Sequence, residues 1–134
     1  MKTNELVIDG KSLTLAQIDE FITGSVKVKL SDFSIEKINK ACNLIDTWIS
    51  EDRAVYGVTT GFGEFANVKI SSGDLKLLQK NLILSHAAGV GELLPPIIVK
   101  IMMLLRANAL ALGHSGIRLS TINLLIDMIN NNII

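Results

Sequence analysis

Residues 55–66 read Val-Tyr-Gly-Val-Thr-Thr-Gly-Phe-Gly-Glu-Phe-Ala. Three glycines within seven residues of this stretch exclude a regular helix, because glycine readily takes positive φ and destabilises helix interiors. The stretch also holds the one tyrosine of the chain and two of its four phenylalanines. Aromatic side chains in a glycine-rich loop between helix-forming regions are suited to contact a ligand or a partner. We therefore expect this loop to carry the functional site.

Composition excludes several classes of protein. The 134 residues are 49% hydrophobic but only 4% aromatic, so the core must be aliphatic, and thirteen basic residues balance thirteen acidic ones. A neutral chain without a basic stripe argues against nucleic-acid binding. The apolar run from Ile97 is interrupted at Arg106, which is too short for a membrane span of about 20 residues. The single Cys42 cannot form an internal disulfide and indicates a cytoplasmic protein. It lies in an apolar helical stripe, where we expect it to be buried.

The N-terminal part predicts a small β-hairpin followed by a short helix. Residues 6–8 are typical of a strand, Asp9-Gly10 of a turn, and residues 11–13 of a return strand. Residues 14–17, Thr-Leu-Ala-Gln, have the form of a capping box that opens a helix. Residues 26–30 alternate apolar and charged side chains, as a half-exposed strand does.

The rest of the chain predicts a mainly α fold. Residues 1–30 form the hairpin and short helix, and residues 31–134 form the helical part. The predicted helices are marked by apolar side chains at three- and four-residue spacing, and they cover about residues 35–49, 75–88, 97–112 and 120–129. Ser120 is the expected N-cap of the last helix. The helix predicted over residues 97–112 is apolar almost all round, which predicts burial on every side, in a core or against other subunits.

Several candidate sites carry alternative interpretations. Residues 61–66 formally fit the Gly-x-Gly-x-x-Gly/Ala dinucleotide fingerprint, but residues 67–73 do not open the helix that this motif requires. Two histidines without paired spacing argue against a metal centre. His114 lies in a polar turn and is expected to be either solvated or a support for a neighbouring site residue. His86 is either a structural histidine or a site residue, and Tyr56 is either a packing residue or a site residue.

Three blocks occur in order along the chain: residues 55–63, residues 78–91, and Arg106 with Asn108 followed by residues 113–118. Together they resemble the aromatic amino acid ammonia-lyase family, which includes histidine, phenylalanine and tyrosine ammonia-lyases and related aminomutases. Residues 55–63 look like the N-terminal active-site loop of that family. Several motifs in the right order, over about residues 31–125, make the resemblance specific. It implies the N-terminal part of a larger all-α lyase fold.

Two positions bear on the branch of the family. Ser85-His86 is similar to the histidine ammonia-lyase pattern, whereas plant-type phenylalanine enzymes tend to have Phe-Leu and tyrosine enzymes His-Leu. Thr59 departs from the histidine ammonia-lyase pattern, because histidine enzymes commonly have asparagine at this position. Threonine is more typical there of the phenylalanine branch. We favour histidine ammonia-lyase, which deaminates L-histidine to urocanate and ammonia in histidine catabolism. A phenylalanine or tyrosine ammonia-lyase or aminomutase, and a non-catalytic helical module for assembly or ligand binding, are the alternatives.

The resemblance also implies roles for individual residues. In the family a loop tyrosine removes a β-proton from the substrate, and Tyr56 occupies that position. Since an ordinary tyrosine side chain has a pKa near about 10, such a base needs surroundings that stabilise phenolate. Glycine N–H groups of the loop are suited to that. By the same resemblance, His86 lines the substrate pocket and Gly63 belongs to the substrate-binding loop.

The electrophile of the family has no precursor in this sequence. The resemblance implies a 4-methylideneimidazol-5-one ring, formed autocatalytically from Ala-Ser-Gly, and the sequence contains no such tripeptide. His114-Ser115-Gly116 belongs to a different block. We therefore expect an N-terminal fragment that is inactive alone. Family active sites are built by several subunits of a tetramer, so the resemblance also implies a homo-oligomer, with an amino acid as substrate.

Overall fold

The computed structural model describes residues 4–61, 70 and 73–134, except for the side chains of residues 75 and 76. The elements in chain order are β1 (Asn4–Ile8), α1 (Leu15–Thr23), β2 (Val26–Leu30), α2 (Asp32–Ser50), α3 (Leu75–His86), α4 (Pro96–Leu110) and α5 (Leu119–Asn130). The predicted mainly α fold is therefore confirmed. None of the helices described is both long and apolar enough to cross a membrane.

The chain divides into two compact units. The strand-containing unit comprises Met1–Asn43 and Leu93–Ile134, and the loop-containing unit comprises Leu44–Glu92. The division falls inside α2. Tyr56 and His86 belong to the loop-containing unit, whereas β1, β2, α1, α4 and α5 belong to the strand-containing unit.

The two strands are parallel, so the predicted hairpin is wrong. Leu6 pairs with Val28 in the parallel register of β1 and β2, and α1 forms the crossover that parallel neighbours require. No return strand forms at residues 11–13. The apolar side chains of the pair point to one face and are buried there, while the lysines of β2 point outward; the buried set is Leu6, Ile8, Val28 and Leu30.

The Asp9 side chain explains why the chain does not fold back as a hairpin. Its Oδ1 accepts hydrogen bonds from the backbone N–H groups of Lys11 at 2.8 Å and Ser12 at 2.7 Å. These bonds, first that of Ser12 and then that of Lys11, hold the pKa of Asp9 below its ordinary value. Both N–H groups are thereby bound locally and do not join a ladder with β1. Gly10 has φ +84°, which glycine takes without strain, and the chain continues from it to the start of α1.

The predicted capping box is confirmed at the start of α1. The N–H of Gln17 donates to Thr14 Oγ1 at 3.3 Å, and the N–H of Thr14 donates to Gln17 Oε1 at 2.9 Å. The two bonds satisfy two N–H groups that an open helix end leaves without partners. The helix then buries Phe21, which is only 1% exposed, in the aliphatic core.

Two asparagines join distant parts of the strand-containing unit. Asn130, at the end of α5, accepts the N–H of Val28 at 2.8 Å and donates to its carbonyl at 3.0 Å. Its amide therefore satisfies backbone groups that β2 presents on its outer edge. Asn108, in α4, accepts the N–H of Gly10 at 2.9 Å. Neither contact is visible from local sequence patterns.

The last two helices differ in detail from the prediction. The N-cap of α5 is Arg118, because α5 begins at Leu119 and Ser120 already lies in its first turn. One face of α4, with Leu104, Ala107 and Leu110, is buried in the core. The opposite face is exposed, so burial on every side is not achieved within the residues described. In α2, Cys42 is half-buried, not fully buried as expected.

We predict that Gly113→Ala destabilises the strand-containing unit. Gly113 has φ +71°, and an added Cβ would lie 2.5 Å from the Cβ of Lys37 and 2.9 Å from its carbonyl carbon. Left-handed backbone and overpacking against α2 together should lower the free energy of unfolding by about 2–4 kcal/mol. Urea denaturation followed by circular dichroism measures this change.

Ser120→Ala is the matched control in the same unit. Its side chain is exposed and makes no hydrogen bond to the residues described, so the free energy of unfolding should change by less than about 0.5 kcal/mol. A loss of similar size in both variants would contradict the steric explanation for Gly113.

Candidate active site

The C-terminal end of α2 leads into the predicted functional loop through a defined cap. Asp52 has φ +58°, its N–H donates to the carbonyl of Ile49 at 3.2 Å, and the N–H of Arg53 donates to the carbonyl of Trp48 at 3.0 Å. These two bonds form a Schellman motif, with aspartate at the position that glycine usually holds. The Arg53 guanidinium also lies 5.7 Å from the centroid of the Trp48 ring. The chain therefore leaves the helix in a fixed direction.

Tyr56 lies in a tight turn that follows this cap. The carbonyl of Val55 accepts the N–H groups of Val58 at 3.0 Å and Thr59 at 2.9 Å. Gly57 has φ +70°, a backbone conformation that glycine takes without strain. The Tyr56 side chain is 64% exposed. The turn therefore presents this side chain toward solvent, where a ligand can reach it.

Thr59 binds the two ends of the turn together. Its hydroxyl accepts the N–H of Val55 at 2.8 Å and donates to the carbonyl of Arg53. Its own carbonyl accepts the N–H of Ile70 at 3.0 Å. The side chain is only 4% exposed. This role of Thr59 was not predicted from the sequence, where the residue bore only on the branch of the family. The signal that could have shown it is the tendency of threonine hydroxyls to bind nearby backbone groups in turns.

His86 is the last residue of α3, and its ring is oriented by two hydrogen-bonding groups. Its Nδ1 lies 2.9 Å from the carbonyl oxygen of Leu82 and 2.9 Å from Ser85 Oγ, which itself donates to Leu82. A carbonyl oxygen only accepts hydrogen bonds, so this network assigns the proton of the neutral ring to Nδ1. Nε2 then carries the lone pair. The residue is exposed, so Nε2 is available to a donor.

Of the predicted site residues, the structure describes Tyr56 and His86 but not Gly63. Tyr56 and His86 lie in the same compact unit. Gly63 and the rest of the loop from residue 62 to residue 66 lie outside the described residues. His114 is exposed in its turn, as expected, and lies in the other unit. Within the described part of the chain, no three His, Cys, Asp or Glu side chains cluster as metal ligands.

Comparison with known proteins gives a consistent result. Residues 13–134 match the family described as aromatic amino acid lyase. Histidine ammonia-lyase from Caldanaerobacter subterraneus subsp. tengcongensis is 46% identical over 130 residues, which are 97% of this chain and 26% of that protein. The crystal structure of histidine ammonia-lyase from Trypanosoma cruzi has a TM-score of 0.84 and 36% identity, over 94% of this chain and 25% of that one. Tyrosine aminomutase from Streptomyces globisporus has a TM-score of 0.85 and 30% identity, over 94% and 24%.

The chain belongs to the aromatic amino acid lyase family. The resemblance inferred from the three sequence blocks is confirmed, as is the fold class. The chain spans about a quarter of the length of the relatives that it matches.

We predict that the neutral His86 ring carries its proton on Nδ1. The carbonyl of Leu82 can only accept, so this tautomer is stabilised by the contact at 2.9 Å. Long-range ¹H–¹⁵N correlation spectra above the titration range of the ring distinguish the two nitrogens. His114 serves as the internal comparison, since its ring makes no hydrogen bond to the residues described. A proton found mainly on Nε2 of His86 would contradict the assignment.

Proposed function

We propose that this chain is part of a histidine ammonia-lyase, which converts L-histidine to urocanate and ammonia. The observation that carries the proposal is the 46% identity to a histidine ammonia-lyase over 97% of this chain. The whole reaction belongs to a protein about four times as long as the matched segment. The 134 residues contribute part of its active site and part of its scaffold.

Tyr56 is the proposed catalytic base. An exposed phenol on a turn fixed at both ends is suited to take a β-proton from a bound amino acid. Loss of that proton and departure of the α-amino group as ammonia leave the double bond of urocanate. The turn follows the cap of α2 directly. Tyr56 is therefore only a few residues along the chain from a rigid helix, which limits how far it can move.

His86 is the proposed contact for the substrate side chain. With Nδ1 bound to Leu82, Nε2 is an acceptor for an N–H donor, and the imidazole of L-histidine offers such a donor. This polarity supports a substrate with a ring N–H over a purely hydrocarbon ring. Gly63 is proposed to bind substrate on the strength of the family resemblance alone.

The family implies a 4-methylideneimidazol-5-one group, but these 134 residues cannot be its source. The 134 residues contain no Ala-Ser-Gly, so none of them can form the ring. The group supplies an electrophile in the family. What this chain contributes is a proton acceptor, a substrate contact and the backbone that orients them.

A second candidate function is a lyase or aminomutase that acts on tyrosine or phenylalanine. The fold similarity to tyrosine aminomutase, with a TM-score of 0.85, favours it. Assays of a full-length enzyme with the three aromatic amino acids separate these candidates. A non-catalytic module would turn over none of them.

The exposed face of α4 supports a homo-oligomer, which family members form as tetramers. Ile98, Met102 and Leu105 recur on that face and are 42%, 53% and 46% exposed. Apolar side chains grouped on one helix face are typical of a protein interface. The protein is proposed to be cytoplasmic, in keeping with a single cysteine and no disulfide.

We predict that Tyr56→Phe lowers kcat of the full-length enzyme by about 10²-fold or more, since a positioned general base contributes roughly 10² to 10⁴. The variant retains the aromatic ring, so the fold should be preserved. Urocanate formation followed by its absorbance measures turnover. An unchanged kcat in a folded enzyme that contains its electrophile would remove Tyr56 from the mechanism.

His86→Leu is the contrasting variant in the same enzyme. Loss of the Nε2 acceptor should raise KM for L-histidine and shift preference toward substrates without a ring N–H, because the contact discriminates side chains. A KM unchanged for every substrate would argue that His86 is structural.

We also predict that the isolated 134-residue chain forms no urocanate from L-histidine. It contains no precursor of the electrophile, so the amino group is not activated for elimination. The measurement is ammonia and urocanate release by the pure chain. Release above that of a Tyr56→Phe chain prepared in the same way would overturn the expectation.

A further inference from the structure

We infer that Thr59 is a positioning residue, whose hydroxyl holds the turn that presents Tyr56. The inference rests on the proposed role of Tyr56 as the base. One oxygen atom accepts from the N–H of Val55, directly before the tyrosine, and donates to the carbonyl of Arg53, the last residue of the α2 cap. The hydroxyl therefore connects Val55, the residue before the tyrosine, to the end of the α2 cap by two consecutive hydrogen bonds.

The remaining contacts of Thr59 exclude a direct role on substrate. Its side chain is 4% exposed, and its only hydroxyl proton is donated to Arg53. Its backbone N–H binds Val55 and its carbonyl binds Ile70. All four bonds are to backbone groups. Threonine at this position is explained by the turn and carries no contact that would select one amino acid substrate over another.

The geometry defines which replacements keep the function. A side chain that replaces threonine must supply one acceptor for the N–H of Val55 and one donor for the carbonyl of Arg53. Serine keeps both in one hydroxyl, and asparagine supplies them as a carbonyl oxygen and an amide nitrogen. Valine has the shape of threonine and supplies neither, so both backbone groups lose their partner.

The first test measures the turn directly, by amide hydrogen exchange in the 134-residue chain. In Thr59→Val the Val55 N–H should exchange about 10-fold faster or more, because its hydrogen bond is lost. The N–H of Ala87, bound to the carbonyl of Ile83 at the end of α3, is the internal control and should keep its rate. Thr59→Ser and Thr59→Asn should keep slow exchange at Val55. Unchanged exchange in Thr59→Val, or fast exchange in folded Thr59→Asn and Thr59→Ser, would overturn the inference.

The second test measures catalysis in a full-length enzyme with the same substitutions. Thr59→Val should lower kcat by about 10²-fold with little change in KM, because a misplaced catalytic group costs turnover more than binding. Thr59→Ser and Thr59→Asn should restore most of the rate. In a Tyr56→Phe background, Thr59→Val should add little further loss, since it acts through the tyrosine.

The two proposals fail in different ways. If Tyr56→Phe leaves kcat unchanged, the proposed function of Tyr56 is wrong, while exchange at Val55 still decides whether Thr59 holds the turn. If Tyr56→Phe lowers kcat and Thr59→Val does not, only the inference about Thr59 is wrong. Full and independent losses from both substitutions in the double variant would also contradict a role exerted through Tyr56.

Discussion

Burial of one face of the parallel strand pair is the constraint on which the strand-containing unit depends. Two strands are not stable alone, and here their apolar side chains pack into a core formed with α1, α4 and α5. Burial requires the alternation that places the lysines of β2 outward. The Asn130 amide satisfies the N–H and the carbonyl of Val28 at the edge of β2, as a further strand would do in a larger sheet.

The loop-containing unit achieves order by a different means. The turn that carries Tyr56 is fixed by hydrogen bonds that run from the α2 cap to Val55 and Thr59. This arrangement leaves the tyrosine exposed while its backbone is constrained. A catalytic base, the role proposed for Tyr56, needs both properties, because it must reach a substrate and a misoriented base lowers the rate.

Local sequence signals predicted some features well and others poorly. The capping box of Thr14 and Gln17 was correct, because such a signal acts within one helical turn. The hairpin was wrong because the Asp9 side chain binds the N–H groups that a return strand would need. Ser120 was wrong as a cap because α5 begins one residue before it.

The sequence by itself determined the family, the helical fold and the candidate residues Tyr56 and His86, since ordered motifs over most of the chain are specific. Only the tertiary structure decided that the strands pair in parallel, because pairing depends on contacts between distant residues. It also decided the ring orientation of His86 and the role of Thr59 in the turn. A hydroxyl or an imidazole nitrogen has several possible partners in a sequence, and only the positions of backbone groups in space select among them.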